Sequence, residues 1–317
     1  MSGSLFAINR LKKVIWILLH RQMKILSENN ENPTNVALIL GFFDGVHLGH
    51  REVINQAVDY AKKNGAKTAL ITFKSSPAEY FQKRCEYIFE REHSYKIMET
   101  LGVDYLYECE FSDLVNIPAQ QYLEENLIKK FAPISISTGF NHTFGANRQG
   151  TPELLEQYSI AYNYEYFCSP ACILDGETVS STLIKLYLKA GDIEKANRLL
   201  NSSFSLKTTV VKGEQLGRKL GFPTANMLYP NEIVKIPHGV YIVKAMGKSA
   251  ILNWGIKPTV NGLQEGLEVH IPNFECDLYG QDLEIEFVKK LRDEKKFDNI
   301  ETLKEQIAKD VEECLKS

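Results

Sequence analysis

Residues 38–52 read LILGFFDGVHLGHRE, and this stretch decides the fold of the first half of the chain. An apolar run over 36–40 leads into Gly41, Phe43, Asp44 and Gly45, then into His47 and His50, and then into residues with helical spacing. That order predicts a strand, a tight turn and the start of a helix. Gly41 and Gly45 permit backbone angles and close approaches that a side chain would block. A helix opening just past the turn aims free N–H groups and the positive end of its dipole at its neighbour, so the natural guest is an anion. His47 and His50, three apart, can face that guest together and donate hydrogen bonds to phosphate oxygens as charge moves onto them. The stretch outlines a nucleotide site.

Working outward, residues 67–73 (KTALITF) form a second β-rich run after a helix-like segment that ends at Asn64 and Gly65. Strand, helix, strand favours a parallel sheet with helices on its faces. A helix over 93–101, a strand over 105–108, a helix over 119–130 and a strand over 134–138 continue the pattern. Nucleotides bind at the carboxyl ends of such strands where the topology reverses, and the glycine-histidine turn is expected there. A polar loop, GFNHTFGANRQG (139–150), follows the last strand and brings Asn141 to the same end. Ser180, Ser181 and Thr182 precede a helical pattern over 177–188, as ordinary caps or as phosphate ligands together with Lys185 one turn on. A helix over 192–200 closes this part, with a boundary near 201–205.

Beyond it the period changes. Short branched-rich runs at 206–211, 240–245, 250–253, 267–271 and 283–288 are separated by Gly, Pro, Asn and Asp, which predicts an antiparallel barrel or sandwich. One amphipathic helix over 300–315 follows. The segment GRKLGFPTAN (217–226) places Gly217, Arg218 and Gly221 beside the rigid Pro223, then Thr224 and Asn226 two apart. On an extended chain Thr224 and Asn226 share a face. Two such oxygens beside a phosphate-sized loop suit Mg2+, which takes few protein ligands and completes its shell with water and phosphate. Glu268, in LEVH, is placed to accept the proton of an attacking hydroxyl. Arg292, in RDEKKF, is either paired with an acid or a ligand contact at the rim.

With 317 residues the chain can hold two domains with separate cores. Hydrophobic residues at 44% and charged residues at 24% fit a soluble globular protein, and a net charge of -3 lacks the basic stripe of a nucleic-acid binder. None of the six cysteines shows C-x-x-C spacing, so reduced thiols in a cytoplasmic protein are expected. The apolar run at 14–19 is too short to span a bilayer. Residues 1–22 are read as an extension, and MKIL from Met23 as a plausible native start. The expected domains are 23–200 and 201–317, and no obligate protein partner is implied.

From about Met23 onward the chain resembles the bacterial bifunctional riboflavin kinase and FAD synthetase family. GFFDGVHLGH, GFNHTFG and the SST turn carry the resemblance in the first half. GRKLGFPTAN, HGVY, NWGIKPTV, LEVH, DLYG and RDEKKF carry it in the second. The resemblance implies a Rossmann-like α/β nucleotidyltransferase domain of the HxGH type, followed by an all-β kinase barrel and a helix. It implies that the barrel phosphorylates riboflavin to FMN, with Thr224 and Asn226 holding magnesium and the ATP phosphates and Glu268 as base. It implies that the first domain transfers AMP from ATP to FMN, with His47 and His50 stabilising phosphate charge and Asn141, Ser180, Ser181 and Thr182 completing the site. Several motifs depart from the family: Phe42 stands for Asn in GNFDG, TFKSSP for TFDPHP (residues 74–76), SSTLIK for SSTRIR with Leu183 and Lys185 in place of arginines, His142 for a usual aromatic, and, in the kinase half, Asn273 for a usual aspartate. A second reading therefore keeps the kinase and makes the first domain a weakened or inactive nucleotide- or flavin-binding module.

Overall fold

The structure, a computed structural model, describes residues 22–26, 31–213, 217, 220–259, 262–274 and 276–316, with backbone alone for 257–259 and 262–264. The expected extension lies, except for Gln22, outside the described residues, as does Arg218. The chain forms two compact units, one of residues 1–85 and 92–172 and the other of 86–91 and 173–317.

The first unit is a six-stranded parallel sheet. Its strands are β1 (Lys24–Leu26), β2 (Val36–Leu40), β3 (Lys67–Phe73), β4 (Tyr105–Cys109), β5 (Ser135–Gly139) and β6 (Glu165–Ser169), in the order β1-β4-β3-β2-β5-β6. β2 is buried along its whole length, as a central parallel strand covered on both faces must be, which is why it is a continuous apolar run. The chain steps from β2 to β3 and β4 on one side, then returns to place β5 on the other. The topology therefore reverses at the carboxyl ends of β2 and β5. Helix α1 (Leu48–Lys63) buries Val53, Ile54, Ala57, Val58 and Ala61, a stripe at helical spacing, against one face of the sheet. Helix α2 (Arg91–Leu101) adds Met98 to the same core.

Three elements of this unit depart from the expectation. The helix at 119–131 is interrupted by a π-helical stretch, Tyr122–Ile128. Helix α3 (Pro152–Tyr162) and β6 were not read from the sequence. Only Leu155 of α3 is fully buried, so its apolar stripe is faint, and β6 is a half-exposed edge strand without a branched run.

In the second unit a small hairpin, β7 (Ile173–Leu174) with β8 (Glu177–Thr178), leads to α4 (Ser181–Ala190) and α5 (Ile193–Leu200). The compact boundary falls before these elements because α5 buries Ile193, Ala196, Leu199 and Leu200, and Asn197 ties it to the barrel. The Asn197 amide donates to the Phe287 carbonyl at 2.8 Å and accepts from Phe204 N–H at 2.7 Å. The segment 86–91 joins the same unit, with a Tyr87–Ile233 bridge and Ile88 and Phe89 buried.

The barrel strands are β9 (Ser205–Thr209), β10 (Ala225–Met227), β11 (Gly239–Ala245), β12 (Lys248–Thr259), β13 (Gly262–His270) and β14 (Asp282–Arg292). They pair antiparallel in the order β10-β13-β12-β11-β14-β9, and Val211 bridges Asn226 to bring the two edges together. Trp254, Tyr241 and Phe287 fill its interior. Helix α6 (Ile300–Lys316) covers Val240, Ile242 and Ile251 with Cys314 and Val311. Among the described residues no helix is long and apolar enough to cross a membrane.

Candidate active sites

At the end of β2 the chain must reverse within a few residues into α1. Gly41 leaves room for the Phe43 ring, which would lie 2.9 Å from a Cβ there. Gly45 has φ +84° and the buried Val46 has φ +41°. Val46 is a branched residue in the left-handed region, a strained conformation that the surrounding packing enforces. His47 is the N-cap of α1, and its Nδ1 accepts the His50 backbone N–H at 3.3 Å. That bond fixes the tautomer: with Nδ1 accepting, the proton of the neutral ring sits on Nε2. The two imidazoles stack with centroids 3.6 Å apart and planes 15° from parallel. Burial pushes His47 down to about 4, and burial followed by the neighbouring His47 holds His50 well below the usual imidazole range. His50 Nδ1 is buried with no hydrogen-bond partner among the described residues. Burial thus favours the neutral form of both rings, and one ring nitrogen has no partner among the described residues.

Beside this turn opens a cavity of about 730 Å3. Gly41, Phe73, Tyr80, Phe81, Phe111 and Tyr122 stand in its wall, and Phe144 and Arg148 line the side formed by the loop after β5. Rings of Phe73, Tyr80 and Phe81 meet Phe111 edge to face at 5.3, 5.5 and 6.1 Å. Apart from Phe73 in TFKSSP and Phe144 in GFNHTFG, no motif marked these aromatics, which come from separate segments. The available signal was the pair Tyr80 and Phe81, exposed in the otherwise polar run PAEYFQKR. The loop is a closed structure rather than an open turn: Phe144 and Gly150 exchange both backbone hydrogen bonds, at 3.1 and 2.8 Å. A Cβ on Gly150 would lie 2.5 Å from the Phe144 ring. Asn141 is exposed one residue beyond Phe140 at the carboxyl end of β5, and burial pushes His142 down to about 4.

The altered TFKSSP residues have structural partners. Lys74 pairs with Glu110 at 2.7 Å, and Ser76 caps a short helix by accepting from Ala78 N–H at 3.3 Å. Ser180 is the N-cap of α4, accepting from Leu183 N–H at 3.2 Å. Ser181, Thr182 and Lys185 occupy the first turns of the same helix, in the second unit.

In the barrel, strand register assembles the second site. Asn226 of β10 stands opposite Glu268 of β13, which stands opposite Asn253 of β12. Directly opposed residues share a face, so the three side chains form a row across three strands. Leu267 and Val269 point the other way, into the core. Asn253 was not singled out from the sequence, although NWGIKPTV contains it. The glycines make room for the backbone here. A Cβ on Gly213 would lie 2.5 Å from the Asn226 amide, and one on Gly217 would lie 2.4 Å from the Phe222 carbonyl and 3.1 Å from Thr224 Oγ1. Gly221 has φ +91°. The buried His270 holds the Pro223 carbonyl with Nδ1 at 2.9 Å. A small cavity of about 70 Å3 adjoins Pro223, Thr224 and the 276–279 segment.

Arg292, read from the sequence as either acid-paired or a ligand contact at the rim, is paired with an acid. Its Nε and Nη2 grip the buried Asp310 of α6, the shortest contact being 2.7 Å, and Nη1 donates to the Asp293 carbonyl. This is the acid-paired alternative, and it fastens α6 to β14.

Comparison with known proteins matches the two halves to two families. The FAD synthetase family matches residues 29–183, and the riboflavin kinase family matches residues 200–317. The bifunctional riboflavin kinase/FMN adenylyltransferase of Haemophilus influenzae is 35% identical over 87% of this chain and 92% of its own length. The chain belongs to that bifunctional family. Its relative in Bacillus subtilis is 32% identical over 90% of this chain and 93% of that one. A crystal structure described as a macrolide-efflux protein from Streptococcus pneumoniae superposes with a TM-score of 0.83, at 27% identity, over 92% of this chain and 97% of that one. Both family matches fall where the two sites lie, so the chain is a riboflavin kinase and an FMN adenylyltransferase that uses ATP.

Proposed function

We propose that the two activities divide between the sites described above, residue by residue. The functional domains are 23–200 and 201–317, in keeping with family matches that end at 183 and resume at 200. The reading for the first domain rests on the stacked, neutral His47 and His50 at the N-terminus of α1.

In the adenylyltransferase, the aromatic cavity takes the flavin ring, whose planar apolar faces match Tyr80, Phe81, Phe111 and Phe144. An FMN phosphate oxygen attacks the α-phosphorus of ATP, the bond to the bridging oxygen breaks, and pyrophosphate leaves with the electron pair. No general base is needed, because the nucleophile is already an anion. Catalysis is therefore positioning and charge stabilisation. His47 Nε2–H and the N–H groups of α1 donate to phosphate oxygens, and Gly41, Phe43, Asp44 and Gly45 shape the turn that brings them there. Asn141 contributes a further polar contact to the nucleotide.

In the kinase, Glu268 accepts the proton of the ribityl hydroxyl as its oxygen attacks the γ-phosphorus, with ADP leaving. Thr224 and Asn226 fit magnesium: both offer hard neutral oxygens two residues apart, beside glycine backbone that phosphate can approach. When bound, the ion would neutralise phosphate charge. Gly217, Arg218, Gly221 and Pro223 cover the nucleotide. A cytoplasmic location is in keeping with this chemistry.

The test is pyrophosphate release from ATP on addition of FMN, alongside ADP release on addition of riboflavin. Both signals are expected from one protein. ADP release without FMN-dependent pyrophosphate would defeat the first-domain assignment and favour the binding-module reading.

A further inference from the structure

The adenylyltransferase site carries a cationic group that the motifs did not mark. Arg51 follows His50 and lies four residues after His47, so the three side chains share one face of the first turn of α1. Helical side chains lean back toward the N-terminus, and Arg51 does so: its Nε donates to the Val46 carbonyl at 3.0 Å, inside the strained turn. Its backbone N–H completes the turn by donating to the His47 carbonyl at 2.9 Å. That single side-chain bond uses one of five guanidinium N–H groups. The terminal nitrogens have no partner among the described residues, although the side chain is half-buried and burial lowers its pKa. A guanidinium held by one edge, with the opposite fork open, is arranged to take an oxyanion in bidentate fashion.

Displacement at the α-phosphorus fixes which oxyanion. Attacking and leaving oxygens lie roughly in line on opposite sides of the phosphorus. The flavin cavity reaches the turn at Gly41, and its wall includes none of His47, His50 and Arg51. FMN thus approaches from the Gly41 side, and the leaving group departs on the other side of the histidine pair.

We propose that Arg51 binds the β,γ-phosphates of ATP and neutralises the pyrophosphate as the bond to the α-phosphorus breaks. This rests on the adenylyltransferase reading. The experiment measures FMN adenylylation, and the reverse formation of ATP from FAD and pyrophosphate, in the full chain and in Arg51→Gln and Arg51→Lys. Loss of a charged hydrogen-bonding fork raises the KM for pyrophosphate and for ATP roughly 10- to 100-fold in Arg51→Gln. The KM for FMN and the rate of riboflavin phosphorylation stay within about twofold of wild type. Arg51→Lys recovers part of the pyrophosphate affinity by restoring the charge.

A glutamine amide can still donate to the Val46 carbonyl, so a purely structural Arg51 predicts an unchanged KM for pyrophosphate in Arg51→Gln. That result overturns the proposal, as does a loss that falls equally on FMN and pyrophosphate. Should Arg51→Gln not fold, Arg51→Lys decides: a KM for pyrophosphate equal to wild type overturns it, and a severalfold rise supports it. If wild type makes no FAD, the site reading fails. If wild type turns over and Arg51→Gln matches it, only the role of Arg51 fails.

Discussion

In the first unit the buried His47 stacks on the half-buried His50 within a strained turn, whereas Asn226 and Glu268 stand half-exposed side by side on one face of a sheet. One site is held by packing and a helix cap, the other by strand register and close glycine backbone. The difference follows from the chemistry. In the proposed roles an anionic nucleophile needs pre-aimed donors and no base, while a neutral hydroxyl needs a carboxylate to take its proton.

The largest effects are expected at the two groups proposed as catalytic. Glu268→Gln removes the proposed base and is expected to slow FMN formation by roughly 100- to 10,000-fold. FAD formation from supplied FMN remains, as chromatography of the two reactions would show. His47→Ala removes a phosphate donor and the α1 cap, slowing FAD formation by about 100- to 1,000-fold while riboflavin phosphorylation continues. A Glu268→Gln enzyme that also loses FAD synthesis would mean the two sites are not separate.

Smaller effects sharpen it. Gly213→Ala pushes a Cβ into the Asn226 amide and is expected to cost roughly tenfold in kinase kcat/KM by displacing a phosphate-side ligand. The corresponding signature of the first site is pH-dependent stability. His47 and His142 are held near 4 when folded and return to 6.5 when unfolded, so the unfolded chain binds more protons between those values. Stability is unaffected above 6.5 and falls as pH drops toward 4, by on the order of 3 kcal/mol for each histidine. Melting curves across that range, in wild type and His142→Phe, would show a shallower pH slope in the variant.

The sequence made β2, α1, the switch point and the barrel legible because each rests on a local pattern: a buried apolar run, a stripe at helical spacing, or short strands between turn residues. Glu268 and Asn253 meet Asn226 only through the pairing of three strands, a long-range relation no local pattern encodes. The aromatic wall was hidden too, because Tyr80, Phe111, Tyr122 and Phe144 converge from four separate segments. Arg292 looked like a rim residue because its partner, Asp310, lies on a helix whose docking the sequence does not specify.

The central claim is that one chain carries two working sites in series. The most direct measurement incubates the purified protein with riboflavin, ATP and magnesium and separates riboflavin, FMN and FAD over time. FMN is expected to rise first and FAD to follow as FMN is consumed. FMN that accumulates without FAD, even when supplied directly, would contradict the account of the histidine site.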